Sequence, residues 1–296
     1  MSNPVLRELG FAADDRVVLL QVDDVGMCGA SVDAFFELAG GELPVSGSAM
    51  VPCAGFAEVA ARCRARDDVD MGVHLTLTSE WDGYRWGPIS KCDRASGLID
   101  DEGYLHRNQN AWTTIDRPAA RAEIEAQVER AIAAGIDVTH VDTHMCACLH
   151  PSLVDDYLAL GRARGVPVLV TRQPGWLAAL SPARVERCER DGLPVFDDFR
   201  MLALDEPAEG GLGRAKRAFE ELAPGMTVVV AHPAVDTPEL RAIALDWRQR
   251  VEDFDALRDA RLARHVSALG VELVSWRALR ELVRSERRAA PAAGAR

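Results

Sequence analysis

No run of apolar residues in this chain approaches the length of a bilayer span, and the amino terminus has no basic segment leading into an apolar one. Neither a transmembrane anchor nor a secretory leader is expected, and a cytoplasmic chain is. Basic residues are the minority: 34 Lys and Arg face 46 Asp and Glu, a formal net charge of −12. A surface of that sign repels phosphate backbones and anionic lipid, so nucleic acid and membrane surfaces are not expected partners. The seven cysteines (28, 53, 63, 92, 146, 148 and 188) are odd in number. Without a leader they read as reduced thiols and not as a disulfide framework. No internal repeat is present, and biased composition is confined to the final "RSERRAAPAAGAR". No G-x-G-x-x-G follows the first apolar run, which argues against a dinucleotide fold.

What is present is alternation. In 296 residues, 48% of them apolar, short β-rich runs take turns with helical patterns. The runs are 16–22, 45–51, 70–78, 138–144, 166–172, 226–233 and 271–276. Helical spacing lies between them, as in "RAEIEAQVERAIAAG" (121–135), "SLVDDYLALGRARG" (152–165) and "DFDALRDARLARHVSALG" (253–270). Alternation of this kind implies a parallel sheet clothed by helices. About seven strands favour a distorted or incomplete TIM-like (β/α) barrel, an α/β fold in a single domain. Residues 1–15 are expected to be an extension, 16–282 the barrel and 283–296 a flexible tail. Residues 79–118, rich in Trp, Gly and polar side chains, interrupt the alternation as an irregular insertion.

In parallel α/β folds the chemistry collects at the carboxyl ends of strands. Here those ends carry Asp23 and Asp24, His74, then His140, Asp142 and His144, then Arg172 and His232. Singly, each has a plain structural explanation. The Asp pair precedes a helix and can cap it. His74 can be a hydrogen-bonded core histidine, and His232 a turn residue before a proline. "HVDTH" is harder to explain away: at period 2 its three titratable groups share one strand face, and burying them unpaired is costly. Together they suit a divalent metal held by one carboxylate and two imidazoles, with room for water and substrate. A second carboxylate can then act as general base.

These residues resemble the YdjC-like (ChbG/HpnK) carbohydrate deacetylases. "VDDVGM" is similar to that family's "ADDFG", "GVHLTLT" to its second motif, and "THVDTHMCACLHP" to its His-x-Asp-x-His element. "AHPAVD" resembles its late "HPG", and "DWRQRVEDFDAL" the Arg-containing helix entry that follows. The order holds from about residue 16 to 278. The resemblance implies a metal-dependent N-deacetylase acting on an acetylated amino sugar, and a homodimer. It implies Asp24, His74 and His144 as metal ligands, Asp23 as general base, His232 as general acid, and Arg172 as the arginine holding the catalytic aspartate. The ligand set leans to Zn2+ on chemical grounds, whereas the family is often assigned Mg2+. The chain departs from the pattern at Cys146 and Cys148, which stand where the family has histidines, and His150 is additional. The two thiols read more readily as packed side chains than as soft ligands. Trp81, Trp86 and Trp112 can stack on sugar faces or pin the insertion. The alternatives are a metal-dependent hydrolase of another amide or ester, against which the lack of an early H-x-H counts, and an inactive sugar-binding relative. The intact ligand set counts against the latter.

Overall fold

Every strand pairing in the sheet is parallel. The strands are β1 (Arg16–Val25), β2 (Ser46–Ala49), β3 (Met71–Leu75), β4 (Val138–Thr143), β5 (Asp198–Met201), β6 (Gly225–Ala231) and β7 (Val271–Val274). The computed structural model describes residues 3–112, 114–173, 180–202 and 210–289. Around the strands lie α1 (Pro4–Glu8), α2 (Gly29–Leu38), α3 (Phe56–Arg64), α4 (Arg117–Ala133), α5 (Val154–Arg164), α6 (Pro182–Arg190), α7 (Gly210–Glu220), α8 (Pro238–Ile243), α9 (Trp247–Leu257), α10 (Ala260–Ala268) and α11 (Trp276–Ala289).

The strand path is β4-β3-β2-β1-β6-β5. The edge strands meet through a connecting stretch: Val168 bridges Val141 in β4, and Thr171 bridges Phe196 just ahead of β5. The sheet thus curls into a distorted barrel. The run expected as a strand at 166–172 contributes only these bridges, because Pro167 has no N–H to donate and offers just its carbonyl, to Val141 N. β1 is the hub. It pairs with β6 along its length and, on its other edge, with β7 over Arg16–Leu19 and with β2 from Gln21 onward.

Period 2 divides the core. Val17 and Leu19 face inward with Phe196, Phe199, Met226, Val228 and Val230. Val18, Leu20 and Val22 face outward under the helices. Gln21 and Asp23 continue the inward column towards the carboxyl end of the barrel.

Four expectations are corrected. β5 lies in "DFRM", which was not read as a strand because its polar residues alternate with Phe199 and Met201. The helical pattern 253–270 is two helices, since the Asp259 carboxylate accepts the Arg261 N–H and starts α10 afresh. The 1–15 extension holds α1, whose Asn3 side chain caps Val5 N and whose Leu6 is buried. The presumed tail is helical as far as Ala289.

Candidate metal and catalytic site

Three strand ends deliver the core of the site. At the end of β1 the backbone turns into the left-handed region at Asp24 (φ 59°) and again at Gly26 (φ 94°). A side-chain-bearing residue occupies that region at a cost, and such strain gathers at functional positions. The turn points Asp23 and Asp24 into one cavity of about 360 Å3 together with His74, Asp142, His144 and His232. Past the end of β4, Met145 (φ 51°) and Cys146 (φ 54°) repeat the strain and bring His144 beside His74.

Asp24, His74 and His144 form a cluster that could hold a metal ion. The Asp24 Oδ1 atom lies 3.4 Å from His74 Nε2 and 3.2 Å from His144 Nδ1. Donors about 2.0–2.2 Å from a tetrahedral ion are separated by roughly that span. Oδ1 is buried and makes no hydrogen bond among the described residues. A buried carboxylate oxygen is costly unless a cation meets it, and here the cation is either a metal ion or the two imidazoles in protonated form. The far nitrogen of each imidazole rests on a carboxylate: His74 Nδ1 on Asp142 at 2.9 Å, and His144 Nε2 on Glu80 at 3.0 Å. Carboxylate–histidine pairs of this type fix tautomer and ring orientation in metal sites. A second cluster, Asp23, His74 and Asp142, shares His74. Its carboxylates are already satisfied by the Gln21 amide, at 2.6 Å to each, so the first cluster is the better cation site.

The protonation pattern points the same way. Burial raises the Asp23 carboxyl to about 8, assisted by Asp142 and opposed by His74. Burial also disfavours charge on Asp24, but Arg250 and His144 outweigh it and hold Asp24 well below the usual range. Burial lowers His144, yet Glu80 and Asp24 more than compensate and lift it to about 9. Asp142 and Asp23 likewise lift His74 well above its usual value against burial. Four carboxylates around two imidazoles are short of positive charge, which protons supply when no metal does.

Arg172 does not reach the aspartate pair. It bonds Asp197 at 2.7 Å and also Glu189. The guanidinium on the pair belongs to Arg250, which donates to Asp24 Oδ2 at 2.8 Å and to Asp246 at 2.9 Å. Arg250 lies within "DWRQRVEDFDAL", so the motif carried the signal although the residue was not singled out. His232 lines the cavity, its Nδ1 buried without a hydrogen-bond partner among the described residues. Burial lowers the ring to about 4, leaving it neutral at pH 7.

Glu80 was missed because it belongs to the irregular insertion. Trp81 from the same segment lines the cavity beneath Arg250, 5.7 Å from ring to guanidinium. Trp86 packs edge-on to His144 and donates to Thr78 O, while Trp112 meets His150 edge-on. All three indoles are buried, so they pin the segment, and Trp81 also faces the cavity. Cys146 lines the cavity and Cys148 is buried below it. His140 lies outside the cavity, stacked on Trp276 at 4.5 Å.

A parallel α/β barrel with an Asp–His–His cluster at the carboxyl ends of its strands defines a class of hydrolase-like scaffolds. Within it, the chain belongs to the YdjC-like family, whose model matches residues 17–268. It is 33% identical over 279 residues to a carbohydrate deacetylase of Thermus thermophilus, covering 94% of this chain and 98% of that one. It is 25% identical to a carbohydrate deacetylase of Thermoanaerobacter pseudethanolicus, covering 72% of this chain and 79% of the relative. A crystal structure of a putative cellobiose-phosphate cleavage protein from Enterococcus faecalis superposes with a TM-score of 0.76 at 19% identity, covering 90% of this chain and 99% of that one.

Proposed function

We propose that this chain is a divalent-metal-dependent carbohydrate N-deacetylase, hydrolysing the acetamido group of an acetylated amino sugar to the amine and acetate. The observation that carries the metal is the buried Asp24 Oδ1 facing two imidazoles, each backed by a carboxylate. The sugar and the acetyl group rest on the relatives named carbohydrate deacetylase. Asp24, His74 and His144 would hold the ion, and the mixed nitrogen and oxygen set favours zinc over magnesium. A bound divalent ion supplies Lewis-acid polarisation of the amide carbonyl and acidifies water.

Asp23 is the base. Its Oδ1 is held by Gln21, which leaves Oδ2, 3.9 Å from His74 Nε2, to take a proton from attacking water. With the ion held at Asp24, His74 and His144, Asp23 would fall below about 8 and be ionised to accept the proton. His232 is the acid. As negative charge develops on the reacting carbonyl, the neutral ring takes a proton from solvent at Nδ1, which has no hydrogen-bond partner among the described residues. It passes that proton to the leaving nitrogen and returns to neutral, while Asp23 releases to solvent the proton it took from water. Arg250 keeps Asp24 ionised and aimed. No role falls to Arg172 in this mechanism.

The test is acetate release from a panel of N-acetylated amino sugars, with metal content measured on the same sample. Zinc-dependent release abolished by EDTA is expected; release that persists at full rate after chelation would overturn the metal-centred reading.

A further inference from the structure

Gln21 is an uncharged side chain buried among acids. It lies on β1 two residues before Asp23, on the same face, and is fully buried. Its Nε2 donates to Asp23 Oδ1 and to Asp142 Oδ2, both at 2.6 Å. Its Oε1 accepts the indole N–H of Trp276 at 2.8 Å. An indole N–H can only donate, so Trp276 dictates which end of the amide is oxygen, and both amide hydrogens must face the carboxylates. Trp276 is itself wedged between His140, stacked at 4.5 Å, and Phe196, edge-on at 5.2 Å.

We infer that Gln21 is a positioning residue for the reaction, and that Trp276, at the start of α11, sets its orientation. The inference rests on Asp23 being the base, as proposed above. Without the Gln21 amide, Asp23 and Asp142 would share only the His74 ring, which lies 2.9 Å from Asp142 but 3.9 Å from Asp23. The amide separates them, ties down one oxygen of Asp23, and leaves the other for proton transfer. Through Asp142 it also braces His74, whose Nδ1 rests on the same Oδ2. Had Trp276 no N–H, the amide could turn its oxygen towards the acids and the clamp would become a repulsion.

The test uses the full chain and three variants: Gln21→Met, similar in shape but without polar atoms, Trp276→Phe, and the double variant. At saturating Zn2+, Gln21→Met should lower kcat about 10- to 100-fold while KM stays within about twofold, since positioning of a general base acts on the chemical step. Calorimetric titration with Zn2+ alone should show affinity weakened about tenfold through Asp142 and His74. Trp276→Phe should lower kcat in the same direction by less. The double variant should be no worse than Gln21→Met, because one residue acts through the other. A merely structural Trp276 would instead multiply the two losses, and that result would overturn the inference. So would kcat and Zn2+ affinity both within about twofold of wild type in Gln21→Met. Should Gln21→Met fail to fold, Trp276→Phe decides alone: unchanged kcat and Zn2+ affinity would overturn the inference. Wild-type protein inactive on every acetylated sugar would refute the proposed reaction, while the Zn2+ titration of the same variants would still decide whether Gln21 braces the ligands.

Discussion

Asp24 and Asp23 are adjacent, yet their surroundings drive them apart. Arg250 and His144 keep Asp24 charged, whereas burial pushes Asp23 up to about 8. The two should therefore fail differently. Asp23→Asn is expected to keep a full metal complement and lose about 100- to 10,000-fold in kcat, whereas Asp24→Asn should lose metal and turnover together; metal analysis beside acetate release distinguishes them. Arg250→Met strips the buried Asp24 Oδ2 of its guanidinium and leaves only the two imidazoles at Oδ1, and in the metal-free protein it should cost about 3–5 kcal/mol in urea unfolding. Saturating Zn2+ should restore part of that loss, because the cation takes over the compensation. Metal binding must also displace protons. His144, at about 9, carries one at pH 7 in the metal-free protein, and His74 is raised as well, so Zn2+ affinity should rise with pH from 7 through about 9. Titrations at pH 7 in buffers of different ionisation enthalpy should reveal proton release; none would contradict the charge pattern.

At the scale of elements, the site depends on strands that stop abruptly and on turns that accept strain. Gly26 takes φ 94° where the chain leaves the acids, and a side chain there would press on Val59. Gly72 in β3 faces His140 so closely that any Cβ would run into the imidazole. Gly72→Ala should therefore destabilise the fold by about 1–3 kcal/mol through overpacking, measured by denaturant unfolding. The apolar runs were readable in the sequence because a strand buried on both faces has one local signature. β5 was not readable, since it is short and polar on alternate residues, and it becomes a strand only by pairing with β6. The break between α9 and α10 was equally hidden, because helical spacing runs on across it and the interruption is a single capping aspartate. The insertion showed in the sequence only as an irregular break in the alternation. That it supplies Glu80 to His144 followed from no periodicity.

For the whole molecule, any cation that binds the folded site and not the unfolded chain must stabilise the fold, by about 2.7 kcal/mol at a hundredfold excess over Kd. Zn2+ should raise Tm in a thermal melt of the wild type and leave Asp24→Asn unmoved; equal shifts in both would place the binding elsewhere. No helix among the described residues is long and apolar enough to cross a membrane. The sequence by itself determined the alternation of strands and helices and the strand ends at which Asp23, Asp24, His74, His144 and His232 stand. It could do so because strand and helix periods are local, and a charge that ends an apolar run is visible without a partner. The tertiary structure alone decided which groups meet. Arg250, and not Arg172, grips Asp24 across 226 residues of chain. Glu80 orients His144, and Trp276 reaches Gln21 from 255 residues away. Contacts at such separations exist only once the barrel has closed, and the burial that shifts these acids and imidazoles is a property of the closed barrel and of no single segment.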